Sequence, residues 1–78
     1  MYIEKLIENF IIEETDELIN YWLSNNTISD SKLEKDIYDE LLLTAEDTFG
    51  DDLSYLVQDD IVKRIIKNSK RIAKKYLN

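Results

Sequence analysis

The chain contains no cysteine, no histidine and no proline, and it has a single glycine. Without cysteine there is no disulfide framework and no thiolate chemistry. Without histidine the commonest general base and metal ligand is missing. The lack of proline, with one glycine, argues against strands joined by tight turns and suits helices. No apolar run approaches the ~20 residues that a membrane span needs. The opening MYIEKLIENF carries acidic residues and no cleavage-site pattern, so no signal peptide is expected. There is no glycine-rich phosphate loop, no useful internal repeat and no low-complexity linker. An intracellular, cytoplasmic protein is expected. The richness in Ile, Lys and Asn points to an AT-rich genome, bacterial or phage.

What remains is a chain of 78 residues, which means one domain with a thin core. Its net charge is −7, and the distribution is uneven. Residues 1–60 hold all 17 acidic and only 3 basic residues, a net −14. The last 18 residues hold seven basic residues and no acidic one. A strong negative charge aids solubility and discourages non-specific contact with nucleic acid or anionic lipid.

The clearest helix is SKLEKDIYDELLLTAEDTFG, residues 31–50. Ser31 and Glu34 match a capping box, with Ser29 and Asp30 as rival caps. Gly50 follows the last apolar residue and is expected to end the helix in the left-handed conformation. At 100° per residue, Leu33, Ile37, Tyr38, Leu41, Leu42, Ala45 and Phe49 fill an arc of about 180°, wider than one neighbour needs. This helix is therefore expected to lie between two others. Leu43 falls outside the arc.

Residues 2–24 read as helix. Ile3, Leu6, Ile7, Phe10, Ile11, Leu18, Tyr21 and Trp22 cover one face. Ile12, Ile19 and Leu23 fall on the nearly opposite face. Either the helix breaks near residues 13–16, or it is continuous and carries a second apolar stripe, or these side chains are scattered and partly exposed. Residues 24–30 form a polar connection, with Ile28 as a loose staple over the bundle end. Leu53, Leu56 and Val57 share a face out of phase with the apolar arc that starts at Ile61. A short helix over 52–57, a joint at 58–60 and a last helix over 60–77, capped by Asp59 or Asp60, follow from that mismatch. Ser69 sits in the apolar half of the last helix, there to admit a close neighbour or to bond back to the Ile65 carbonyl. The expected fold is all-α, a small antiparallel bundle of three main helices with a short extra helical segment before the last.

No catalytic group stands out, and no enzyme activity, cofactor, metal or small-molecule substrate is expected. Glu13, Glu14 and Glu17 share a helical turn, as do Asp36, Asp39 and Glu40. Bundle metal sites want histidines among such carboxylates. The acids of residues 47–52 lack the spacing of a calcium loop. Acid–base work needs a carboxylate in a dry pocket, for which so small a core has little room.

Three surfaces remain. Lys63, Arg64, Lys67, Lys70, Arg71, Lys74 and Lys75 line the outer half of the last helix. They suit phosphates, or they pack back on the acidic helices and fix which helix end meets which. No aromatic or amide residue is interleaved among them, as base readout would want. The acidic set is Glu13, Glu14, Glu17, Asp36, Asp39, Glu40, Glu46, Asp47, Asp51 and Asp52. It is a solvated face or the face of a phosphate-mimicking inhibitor steered by charge. The spare apolar residues Ile12, Ile19, Leu23 and Leu43, with Trp22 at the edge of its arc, are candidates for a protein interface. The preferred reading of Trp22 is a core anchor of the bundle, while Tyr2, Tyr21 and Tyr55 are expected near the surface. The expected function is a small, acidic, non-catalytic protein-interaction domain, an inhibitor or assembly component that binds another protein. The alternatives are nucleic-acid binding through the basic face and a self-associating homodimer.

Overall fold

The computed structural model describes residues 2–26 and 31–77. The chain is all-α. Helix α1 spans Tyr2–Asn25, α2 spans Ser31–Phe49, a short 3-10 turn spans Gly50–Asp52, and α3 spans Tyr55–Lys74. The helices run up, down and up. Phe10 of α1 meets Phe49 of α2 edge to face, with ring centroids 5.2 Å apart. Glu34 near the start of α2 meets Lys70 near the end of α3. The expectations for Ile28, Ser29 and Asp30 lie outside the described residues.

Helix α1 is unbroken through residues 13–16. Nothing there forces a break, and Phe10, Leu18 and Trp22 recur at spacings of eight and four, so they stay on one buried face. The three residues of the second stripe do not share one environment. Leu23 packs against the core, Ile19 is half-buried and Ile12 is exposed. The helix ends at Asn26, whose φ of 53° is left-handed; asparagine tolerates that region better than most residues. Gly50 plays the same part after α2, at φ 54°.

The sequence places the joint before the last helix at residues 58–60; the structure places it at Leu53 and Ser54. Ser54 is the N-cap of α3, its Oγ accepting from the Val57 amide at 3.3 Å. The phase mismatch that suggested the later joint is genuine, but the helix does not break there. It leaves Leu56 and Val57 facing out, 76% and 42% exposed. It also buries Gln58 on the core face, where Nε2 donates to the carbonyls of Gly50 and Leu53, both at 3.0 Å. A polar side chain thus holds the turn that an apolar pattern could not reveal. Asp59 and Asp60 lie inside α3 and pair one turn on with Lys63 and Arg64.

The core is Phe10, Leu18 and Trp22 from α1, Leu41, Ala45 and Phe49 from α2, and Ile61, Val62, Ile65, Ile66 and Ala73 from α3. The helix between the other two is α3, not α2 as its wide arc suggested. Both α1 and α2 pack closely on α3, whereas their own backbones stay apart. The width of the α2 arc has another cause. Leu33, Ile37, Tyr38 and Leu42 are only half-buried, on the flanks of the contact with α3.

Trp22 is 1% exposed and belongs to the core, so it offers no area to a partner and is not an interface residue. Its indole N–H donates to Ser69 Oγ at 2.9 Å, and Ser69 donates to the carbonyl of Ile66, not Ile65, at 2.9 Å. The expected bond back to Ile65 is therefore not made, and the neighbour that Ser69 admits is Trp22 of α1.

Candidate functional site

Because the backbones of α1 and α2 stay apart beyond the Phe10–Phe49 contact, a groove of about 710 Å³ lies between the two helices. Its floor is apolar: Leu18 and Tyr21 from α1, and Leu33, Ile37 and Leu41 from α2. Its rims are acidic on both sides, with Glu14 and Glu17 on α1 and Asp36 and Glu40 on α2, and among the described residues no basic one lines it. Each pair sits three or four residues apart, which places both carboxylates of a helix on one side. Glu14 shows the electrostatic consequence. Burial pushes its carboxyl above the ordinary range, and the neighbouring charges of Glu17 and Glu13 push it further.

A second groove, of about 540 Å³, runs between α2 and α3 and has the opposite sign. Lys63, Lys67, Lys70, Arg71 and Lys74 line it with Ile66, and Glu34 is its one carboxylate. Lys70 Nζ lies 2.5 Å from Glu34 Oε2, which joins the end of α3 to the start of α2. Lys63 and Arg64 are held by Asp59 and Asp60 at 3.1 and 2.8 Å, and Arg71 donates to Asn68 at 3.3 Å. Lys67, Lys74 and Lys75 form no ion pair among the described residues. Such exposed pairs are worth only about 0–1 kcal/mol each, so their main effect is to select which ends meet.

Tyr38 marks the boundary of this second seam. Its hydroxyl donates to Asp59 Oδ1. That bond, then Lys63, holds the Asp59 carboxyl below the usual range, while the phenol of Tyr38 is pushed up.

Of the acidic residues singled out in the sequence, the fold brings Glu14, Glu17, Asp36 and Glu40 together. Glu13 stands beside them on the exposed side. Asp39 turns away and pairs with Lys35 at 3.1 Å. Glu46, Asp47, Asp51 and Asp52 are exposed and do not line the groove. Among the apolar candidates, Ile12 and Leu43 are exposed, at 57% and 63%, and neither lines a groove. The groove floor was missed because Leu18, Leu33, Ile37 and Leu41 read as ordinary core positions. The signal available was the excessive width of the α2 arc.

Among the described residues, no group of three or more carboxylates is placed to hold a metal ion, and no helix is long and apolar enough to cross a membrane. Compared with models of protein families, with curated proteins and with solved structures, the chain matches none.

Proposed function

We propose that this chain is a non-catalytic protein-interaction domain, an inhibitor or assembly component, and that it works through the groove between α1 and α2. One observation carries the reading: an apolar floor flanked on both sides by carboxylates, with no cation among the described lining residues. The half-buried Leu33 and Ile37 and the exposed Tyr21 gain by leaving water, at about 25 cal/mol per Å². Carboxylates crowded at the rim gain from an arriving cation, and burial, with the charges of Glu17 and Glu13, already raises the Glu14 carboxyl there. Among the described residues no cation lines the groove to supply the second gain.

The test is site-specific photo-crosslinking in the host cell. A photoreactive residue at Ile37, on the groove floor, is expected to give a discrete adduct with another protein. The same group at Arg64, on the outer face of α3, is expected to give none. Equal labelling from both positions, or none from Ile37, refutes the groove as the working surface.

The five cations of the second groove favour a different reading, contact with a polyanion such as nucleic acid. Binding of duplex or single-stranded DNA at low salt, lost when Lys67, Lys70, Arg71 and Lys74 are changed to Glu, would support it. No binding at low salt would exclude it.

A further inference from the structure

We infer that the occupant of the groove between α1 and α2 is an amphipathic helix of another protein, with lysines or arginines beside its apolar stripe. This deepens the reading of the groove as a protein-binding surface and rests on it.

Shape argues for a helix. The lining residues run from Glu14 to Tyr21 on one side and from Leu33 to Thr44 on the other. At 1.5 Å per residue these spans are roughly 10 and 17 Å, the length of two to three helical turns. Two antiparallel helices whose facing flanks are half-buried offer the seat that a further helix takes in a bundle. An extended peptide would fare worse. The groove walls are helices, whose backbone groups are already bonded along their own axes, so no strand edge is available to pair with. A helix satisfies its own backbone and needs only side-chain contacts.

Charge argues for the basic flanks. Four carboxylates stand on the two rims, so cations on both sides of an apolar stripe would each find one. A second copy of this chain is the obvious source of a basic helix, and it fits poorly. The apolar stripe of α3 is already spent in its own core, where Ile61, Val62, Ile65 and Ile66 are buried. Its free side could meet the rims but has little to fill the floor.

The probe is a labelled 14-residue peptide of leucine and lysine, with leucine at helical spacing, titrated at low salt by fluorescence anisotropy. Amide chemical shifts of the protein are followed in parallel. Saturable one-to-one binding is expected, with shifts concentrated in residues 14–21 and 33–44. Neutralising the rims together (Glu14→Gln, Glu17→Gln, Asp36→Asn, Glu40→Gln) is expected to weaken binding about tenfold, the scale of four exposed charge pairs. A scrambled peptide of the same composition, without the stripe, is expected to bind far less. Three results overturn the inference: no binding, equal binding of the scrambled peptide, or shifts centred elsewhere, for example around the exposed Leu56. Crosslinking from Ile37 reads the use of the groove whatever fills it. A discrete adduct there with a silent peptide therefore overturns the helical, basic occupant alone, and loss of both overturns the groove.

Discussion

Removing the hydroxyl of Ser69 should destabilise the bundle measurably, although only one atom is lost. Ser69 is fully buried, and its Oγ accepts the indole N–H of Trp22, itself 1% exposed, at 2.9 Å. Ser69→Ala leaves that N–H without a partner in a site water cannot reach. A buried donor left unsatisfied costs about 1–3 kcal/mol. Alanine returns part of this, roughly 0.5 kcal/mol, as the better helix former. The net loss should be about 0.5–2.5 kcal/mol, or a fall in Tm of roughly 2–20 °C for a domain of this size. The assay is urea and thermal unfolding followed by far-UV circular dichroism, because the companion variant Trp22→Phe removes the only tryptophan. Trp22→Phe deletes the donor together with some packing. In the double variant the donor and acceptor are both gone, so the second change should cost less than it does alone. Additive losses, or a Ser69→Ala protein as stable as the parent, would refute the bond as what registers α1 against α3.

Other consequences follow from single residues. Gly50→Ala meets no side chain or backbone within 4 Å, so its cost should be the left-handed backbone alone, about 1 kcal/mol, read as a shift in the urea midpoint. Glu14 has a raised carboxyl, so the native state holds its proton more tightly than the unfolded chain does. Its penalty is present at neutral pH and fades as the pH falls through the raised value. Glu14→Gln should therefore stabilise on the order of a few tenths of a kcal/mol at pH 7, with the gain vanishing in acid. Asp59 is the opposite case. Its carboxyl is depressed, so its contribution is present above its unfolded value and lost as the pH falls through the folded one. Tyr38→Phe should move the Asp59 titration upward toward the usual range in carbon-detected NMR; an unchanged titration would mean the hydroxyl is not what holds it.

The helices were legible because their apolar period and their breakers agree. The run 31–49 ends at a glycine that takes φ 54°, and the amphipathic last helix is recognisable from its period alone, although its cap is Ser54 and not Asp59 or Asp60. The joint before α3 was misread for a definite reason. The apolar pattern treats Gln58 as a surface residue and Leu56 as buried, and the fold does the reverse so that an amide can bind two turn carbonyls. Long-range polar pairings such as Trp22 with Ser69 and Tyr38 with Asp59 leave no local trace. The acidic groove was half legible: Glu14, Glu17, Asp36 and Glu40 were singled out by charge. That they face one another over leucines depends on how far α1 stands from α2, and that distance is set by the packing of both on α3.

The most direct test of the central claim, that the acidic groove is left open for another protein, is the mass of the free chain in solution. Light scattering should be recorded across concentration and at two salt levels. The account predicts a monomer of 9.3 kDa throughout, because the apolar stripe of α3 is already used within its own core. A species of twice that mass at low salt, restored to monomer when the four rim carboxylates are neutralised, would contradict it. The groove would then belong to a second copy of the chain.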